Sequence, residues 1–439
     1  MKTKTDVFVM PSIGVVGAAV ACVCFAGLAG QAAPPAEKLA TLTVAAGKHD
    51  RIDTPVCVEL KGLGKVPQRV ALAELDRRAA RDVQVVPGKP AKLWFFVTGK
   101  MPAGTKRTYQ LYPAPAGGMS IIRVHKDDEK IELVRGEAKI FRYNIKAPSA
   151  PKGVDRIFER AAYIHPLWSV GPDGPQRVLT HDFPSDHYHH HGIWFPWTNT
   201  TFEGAHVDFW NLGKRQGTVR LKKVLATTEG PIFSGFRTAH EFVVKKAVLA
   251  KGPDGKPTKT GEKVALDETW DVRVYNLPGR SGAGMRLWDI VSTQTCGTDS
   301  PLIIHKYRYG GMGYRAAKEW TGPNALHLTS EGNQRRKSDA TRPRWTVVSG
   351  AIDGQWDSVT LMSHPKNINH PEPVRTWANP RQPTFFGFAP VRASGWVFQP
   401  GKQYVFRYRF CVTLGKPDAK LAERLWQDFA DPPAVAIAR

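Results

Sequence analysis

Glycine and proline interrupt this chain every few residues, and the stretches between them are short, apolar and rich in β-branched and aromatic side chains. Leu42 to Val44, Val56 to Leu60, Lys92 to Val97 and Thr108 to Leu111 come first. Ile131 to Val134, Ala138 to Tyr143, Thr218 to Val224 and Thr238 to Val244 follow. The long runs Val264 to Tyr275 and Met285 to Thr293 flank a turn at Pro278 to Gly282, and residues 249 to 263 read as a solvated hairpin tip. Trp345 to Val348, Ser358 to Met362, Phe385 to Phe388 and Tyr404 to Val412 continue the series. Such runs bounded by turn formers read as strands. Only Val70 to Arg81 and Pro417 to Phe429 look helical, the latter with Leu421, Leu425 and Phe429 at helical spacing. Many strands with few helices predict an all-β chain, an antiparallel β-sandwich with one C-terminal helix.

Residues 1 to 33 read as a secretory leader. Lys2 and Lys4 precede an apolar run from Ile13 to Leu28, and Gly30-Gln31-Ala32 resembles a small-residue cleavage site. The mature chain is then expected to begin near Ala33 or Pro34, in the periplasm or outside the cell. A lipoprotein acylated at Cys22, or a retained anchor, is the alternative. No later stretch is long and apolar enough to span a bilayer. Pro113 to Gly118 reads as a linker, dividing a small β-domain (34–116) from the main sandwich (117–439). Cys57, Cys296 and Cys411 remain after the leader. Their spacing matches no zinc motif and no disulfide framework, leaving either one bridge with a free thiol or three buried thiols.

The formal charge is +23, and the leader's Lys2, Lys4 and Asp6 account for +1 of it, so the mature chain carries about +22. The cations are spread over several clusters, Arg335 to Lys337 among them. A basic exterior attracts anionic polymers. No nucleic-acid-binding module is legible, so an acidic polysaccharide is the expected partner of an exported protein. The sequence does not specify an oligomeric state.

The chemistry concentrates between His181 and Trp210. His181, His187, His189, His190, His191 and His206 are six of the fourteen histidines, within twenty-six positions. Asp182, Asp186 and Asp208 lie among them, with Trp194, Trp197 and Trp210. Imidazole titrates near neutrality and is the commonest metal ligand. An extended backbone around Tyr188 would put His187, His189 and His191 on one face and His190 on the other. That arrangement suits an acid/base pair, or a zinc or copper site built from His187, His189 and a third ligand such as His191, Asp208 or His364. Elsewhere Glu268, Asp289, Arg315, His364, Asn367 and Trp377 sit among apolar strand positions. Together they resemble the inventory of a saccharide site, with polar groups for hydroxyls or carboxylates and tryptophans for ring faces.

Asp186-His187-Tyr188-His189-His190-His191-Gly192-Ile193-Trp194, followed by Asp208-Phe209-Trp210, resembles the D-H-P-H-H-R-G-L-W hallmark of a bacterial domain-of-unknown-function family that carries the label "methane oxygenase PmoA". Tyr309-Gly310-Gly311-Met312-Gly313-Tyr314-Arg315 is similar to that family's Y-G-G-L-G-x-R segment, and His364-Pro365-Lys366-Asn367 to its H-P-x-N segment. The likeness spans roughly residues 119 to 430. Tyr188 stands where the family has Pro and His191 where it has Arg. The resemblance implies export and a galactose-mutarotase-like sandwich, and its label implies metal-dependent oxidation.

These readings converge on an exported carbohydrate-active enzyme of lyase, hydrolase or epimerase type. His187, His189 or His190 would be the acid or base, Asp186 or Asp208 would orient it, and Arg315 would neutralise a carboxylate or oxyanion. Trp194, Trp210 and Trp377 would bind sugar faces, with Glu268, Asp289, His364 and Asn367 on polar groups. Two alternatives stand beside it: a non-catalytic glycan-binding protein, and a metal-dependent redox or hydrolytic protein.

Overall fold

The computed structural model describes residues 37–75, 79–114, 118–171 and 176–439. The leader and its cleavage site, and the centre of the expected linker, lie outside the described residues. Strands take up 51% of the described residues and helices 9%, against roughly 20–25% and 30–35% for an average globular domain.

Two eight-stranded antiparallel sheets dominate. The first runs, in spatial order, Val374–Thr376, Phe385–Phe388, Met312–Arg315, Ile193–Trp194, Tyr163–Leu167, Ala138–Asn144, Lys130–Arg135 and Ile122–Lys126. The second is built on the long hairpin Phe233–Lys251 and Pro257–Tyr275, continued by Met285–Cys296 and Tyr404–Leu414. Their facing sides share one core. Phe141 of the first sheet meets Phe236 and Trp288 of the second at 6.5 and 5.6 Å between ring centres, and Phe388 stacks on Tyr408 at 5.8 Å. This is the antiparallel β-sandwich that the alternation implies.

The period of two places the chemistry. Ile164, Ile193, Tyr314 and Phe386 point into the shared core. Their neighbours Tyr163, Trp194, Arg315 and Phe385 point to the opposite face, where Tyr163, Trp194 and Phe385 join Trp210 and Trp377 in a separate aromatic cluster. Ile193 pairs with Tyr314 and Trp194 with Gly313, and Arg315 pairs with Phe385, so the outer-face residues are cross-strand neighbours.

A smaller pair of sheets holds the amino-terminal part. Arg51–Glu59, Lys92–Met101 and Val83–Val86 form one; Ala40–Ala45, Lys106–Pro113, Val70–Glu74 and Ala79–Arg81 form the other. The latter takes its edge strand from the far end of the chain, because Ala434–Ala438 pairs antiparallel with Ala40–Ala45. Val435 and Ile437 accordingly pack on the amino-terminal core.

Some elements differ from expectation. Val70 to Arg81, which reads as a helix, contributes two strands. Its alanines and leucines favour helix locally, but Val70, Leu72 and Glu74 alternate inward against Lys106–Pro113, and long-range pairing outweighs the local preference. Pro113, placed in the linker, ends a strand. The Pro278 turn continues into the short helix Gly279–Gly284. The expected hairpin tip narrows to the few residues between Lys251 and Pro257. The carboxy-terminal helix spans Ala419–Ala430, and the Asp418 carboxylate caps it at Leu421 N, 3.0 Å away. Among the described residues Cys57, Cys296 and Cys411 are all free, with Cys57 exposed. Among the described residues no helix is long and apolar enough to cross a membrane.

Candidate functional site

The histidine-rich segment is not extended. The His187 amide donates to Pro184 O and the His190 amide to His187 O, both at 2.9 Å, so two tight turns follow each other. Gly192 then reverses the chain with φ +55°. A Cβ there would lie 2.2 Å from Ile164 O, so only glycine fits. Gly192 N bonds His181 O, while Gly192 O accepts from Arg315 N at 2.7 Å, tying the loop to the strand that carries the arginine.

Because of the turns, His187, His189 and His190 converge, and His191 does not. Ring centres lie 5.4 Å apart for His187 and His189, and 4.9 Å for His190 with each of the others. The expectation that His190 faces away and His191 joins the pair is thereby corrected. His191 is buried against Tyr163 and Phe183 and shares its Nδ1 proton with Asp182 at 2.6 Å. His206 sits exposed on the separate hairpin Thr200–Phe202 and Ala205–Val207. Among the described residues no three His, Cys, Asp or Glu side chains assemble as metal ligands, and the set His187, His189 and His191 does not fit an ion as placed.

Aromatic rings enclose the triad. His190 packs on Trp194 at 5.0 Å and Phe385 at 4.9 Å, and His187 lies 4.7 Å from Trp377. Trp194 and Trp210 both rest on Gly313, where a Cβ would meet either indole at 3.1 Å. Trp194, fully buried, is therefore the floor beneath His190 and touches no open space. Trp210 and Trp377 do line a cavity of about 150 Å³, together with the three histidines. That is smaller than the roughly 300–1,000 Å³ of pockets that enclose a whole ligand. A space of that size has room for no more than one ring, or the end of a larger molecule.

Arg315 organises the charges from beneath. Its buried guanidinium donates to Asp186 Oδ1 at 2.6 Å and to His190 Nδ1 at 3.4 Å, and stacks 4.8 Å over Trp377. Since arginine only donates, His190 Nδ1 must accept, and the ring's proton resides on Nε2. Asp186 Oδ2 in turn holds His187 Nδ1 at 3.2 Å, leaving His187 Nε2 as that ring's free nitrogen. Burial alone would raise the Asp186 carboxyl, but the Arg315 charge and hydrogen bond outweigh it and hold it below the usual range. Burial, then the neighbouring imidazoles, lowers His189 to about 3, and burial with His189 and Arg315 drives His190 well below its ordinary value. Both are neutral at physiological pH.

Asp208, the other expected orienting carboxylate, reaches none of the three rings by a hydrogen bond. It is fully buried, accepts from the amides of Trp210 and Asn211 at 2.9 Å, and binds Lys214 at 2.8 Å. Its effect is to brace Asn211, whose Nδ2 also donates to the Tyr309 hydroxyl at 3.0 Å. Asn211, Tyr309, Arg308, Arg375 and Phe385 complete the cavity wall and were not among the expected site residues. The one sequence sign of them is the adjacency of Arg308 and Tyr309 to the glycine pair at 310–311. Arg375 is engaged with Asp339 at 3.1 Å. Arg308 is exposed, touches the Tyr307 and Tyr309 rings, and makes no ion pair among the described residues.

Four expected residues lie elsewhere, each satisfied by its own partners. Glu268, inside the second sheet, bonds His240, Ser292 and Gln294 at 2.8, 2.5 and 2.9 Å. Asp289 forms a two-pronged pair with Arg409 at 2.7 and 3.0 Å. His364 caps its own turn at Lys366 N and packs on Phe429. Asn367 clasps Arg407 and Glu372. Glu268, Asp289 and Asn367 are buried, His364 is half-buried, and none of the four lines the cavity.

The sequence matches the profile of a family of unknown function, DUF6807, over residues 130–427. The chain belongs to this family. The DUF6807 region includes every residue of the histidine cavity and leaves the amino-terminal sheets outside it. No curated protein matches. Among solved structures, an α-galactosidase from Lactobacillus brevis is similar at 7% identity with a TM-score of 0.29, over 67% of this chain and 40% of that one, so the chain spans about two fifths of that enzyme's length.

The buried imidazoles make a pH prediction. His165, His364 and His370 are lowered to about 4, and His189 and His327 to about 3, in each case chiefly by burial. An unfolded histidine titrates near 6.5. A depressed folded value means that the unfolded chain binds more protons below that pH, so stability is complete above about 6.5 and declines as pH falls toward 4–3. Urea unfolding midpoints are expected to drop steadily from pH 7 to pH 5 with uptake of several protons. A flat profile over that range would refute neutral burial of these rings.

Proposed function

We propose that this protein is an exported enzyme that removes the proton next to the carboxylate of a uronate-containing saccharide, as a lyase or an epimerase. What carries the reading is one oriented imidazole and one unpaired arginine in a small aromatic-walled cavity that no carboxylate lines. Common glycoside hydrolysis uses two carboxyl groups about 5–9.5 Å apart. Here no Asp or Glu lines the cavity among the described residues, and Asp186 is neutralised by Arg315. The wall is equipped for a base and an anion instead.

His189 and His190 are too weakly basic for the task, which leaves His187, whose tautomer Asp186 fixes. In the proposed step His187 Nε2 takes the proton from the carbon bearing the carboxyl group. The electron pair moves into that carboxylate, whose added charge Arg308 faces and the His190 Nε2–H supports. The pair then either expels the glycosidic oxygen on the adjacent carbon, which takes a proton from the Tyr309 hydroxyl, or takes that hydroxyl's proton at the original carbon on the face opposite His187, which inverts the centre. Burial raises the Tyr309 pKa, so that hydroxyl is protonated at neutral pH. Trp210 and Trp377 offer flat faces to the sugar ring.

Each outcome has its own observable. Incubation with oligouronates in heavy water should place deuterium beside the carboxyl group, or yield an unsaturated sugar that absorbs in the ultraviolet. Binding of uronates without exchange or elimination would replace this reading with a glycan-binding protein. Turnover abolished by a chelator and restored by stoichiometric zinc or copper would replace it with the metal-dependent protein that the oxygenase label suggests.

A further inference from the structure

Two adjoining cavities of about 720 and 490 Å³, sharing Arg336 and Pro380, lie across the segment Trp377 to Arg381 from the histidine cavity. Trp377 walls the histidine cavity, and Ala378 to Arg381 line the smaller of the two. The larger has the size of a pocket that encloses a ligand. Trp377 and Arg381 are four Cα steps apart, at most about 14 Å along an extended chain.

Arg336, Lys337 and Arg381 project there, all exposed. None makes an ion pair among the described residues, and no Asp or Glu lines either cavity. Nearby cations are compensated: Arg375 and Arg392 share Asp339, and Arg344 holds Glu423. Arg335 has a different part. Buried, it donates to the carbonyls of Trp377, Gln382 and Pro383 at 3.0, 2.7 and 3.1 Å, fixing the partition between the cavities.

We infer that this cationic groove is a polymer subsite for an acidic polysaccharide, a chain end of which enters the histidine cavity. Unpaired cations in a concave surface attract an anionic chain. Asn333, Gln334 and Asn379 add amide groups suited to hydroxyls. The lining has no Phe, Tyr or Trp on which nucleic-acid bases could stack. Only the assignment of the chain end rests on the proposed reaction; the groove's affinity does not.

Polygalacturonate and its fully methyl-esterified form share one backbone, the ester replacing each carboxylate by an uncharged group, and serve as probes on the full-length protein. The acidic polymer should bind, and salt should weaken binding because exposed charges are screened beyond about 8–10 Å. The combined variant Arg336→Ser, Lys337→Ser and Arg381→Ser should bind it on the order of tenfold more weakly, through loss of three exposed ion contacts. Its melting temperature and its turnover of short oligouronates should not change. His187→Ala should bind polymer as the unaltered protein does. Equal binding by the triple variant, equal affinity for the esterified polymer, or tighter binding of single-stranded DNA would overturn the subsite. Groove-dependent polymer binding without turnover would leave the subsite standing and remove the proposed reaction. Turnover of short uronates, with polymer binding untouched by the triple variant, would do the reverse.

Discussion

Replacing His187 with alanine should lower turnover of a uronate substrate by about 10²–10⁴-fold, the range for losing a positioned general base, and leave its binding nearly unchanged. The three rings are not equivalent. Burial keeps His189 and His190 neutral and weakly basic, while His187 alone has a carboxylate at its Nδ1. Asp186→Asn should reproduce part of the loss. The amide keeps the shape of the side chain but no longer favours the same tautomer. Full activity in His187→Ala would place the base elsewhere, and binding that falls in step with turnover would make the ring a contact and not a base.

Arg315→Met should destabilise the fold by about 2–3 kcal/mol, somewhat less than the 3–5 kcal/mol typical for breaking a fully buried ion pair. The discount follows from Asp186, whose side chain is 34% exposed and regains water when the guanidinium is gone. The variant also strips the donor from His190 Nδ1 and the cation from the face of Trp377. Arg315→Lys should recover only part of the loss, because an ammonium lacks the planar fork that serves both Asp186 and His190. The sign of the pH effect is fixed. Arg315 lowers the Asp186 carboxyl, so the pair's contribution is present above an unfolded carboxyl pKa of about 4 and fades as pH falls through the folded value. The gap between variant and unaltered protein should therefore narrow in acid. Urea unfolding of both at pH 7 and near pH 3 measures it, and a gap independent of pH would mean that packing alone accounts for the loss.

The strands were legible because a two-sided sheet writes its burial into alternation. Val264 to Tyr275 and Tyr404 to Val412 carry that pattern plainly. Val70 to Arg81 was misread because its residues favour helix and the strand that overrides them lies more than thirty positions away. The histidine loop shows the same limit at the site. Composition marks the place, but the turn anchored at Pro184 O and the reversal at Gly192 decide which imidazoles meet. Glu268 and Asp289 looked available because polar residues in strands resemble ligands until their partners, His240 and Arg409, are brought beside them. Asn211, Arg308 and Arg375 come from three separate segments and have no common signature to find.

Pairing of Ala434–Ala438 with Ala40–Ala45 joins the last described strand to the first. Synthesis runs from the amino terminus, so the early sheet remains an open edge while nearly four hundred residues are added, and an open edge is a template for mispairing. A premature stop before Ala434 would leave every residue of the histidine cavity encoded, yet leave one edge of Ala40–Ala45 without its partner strand.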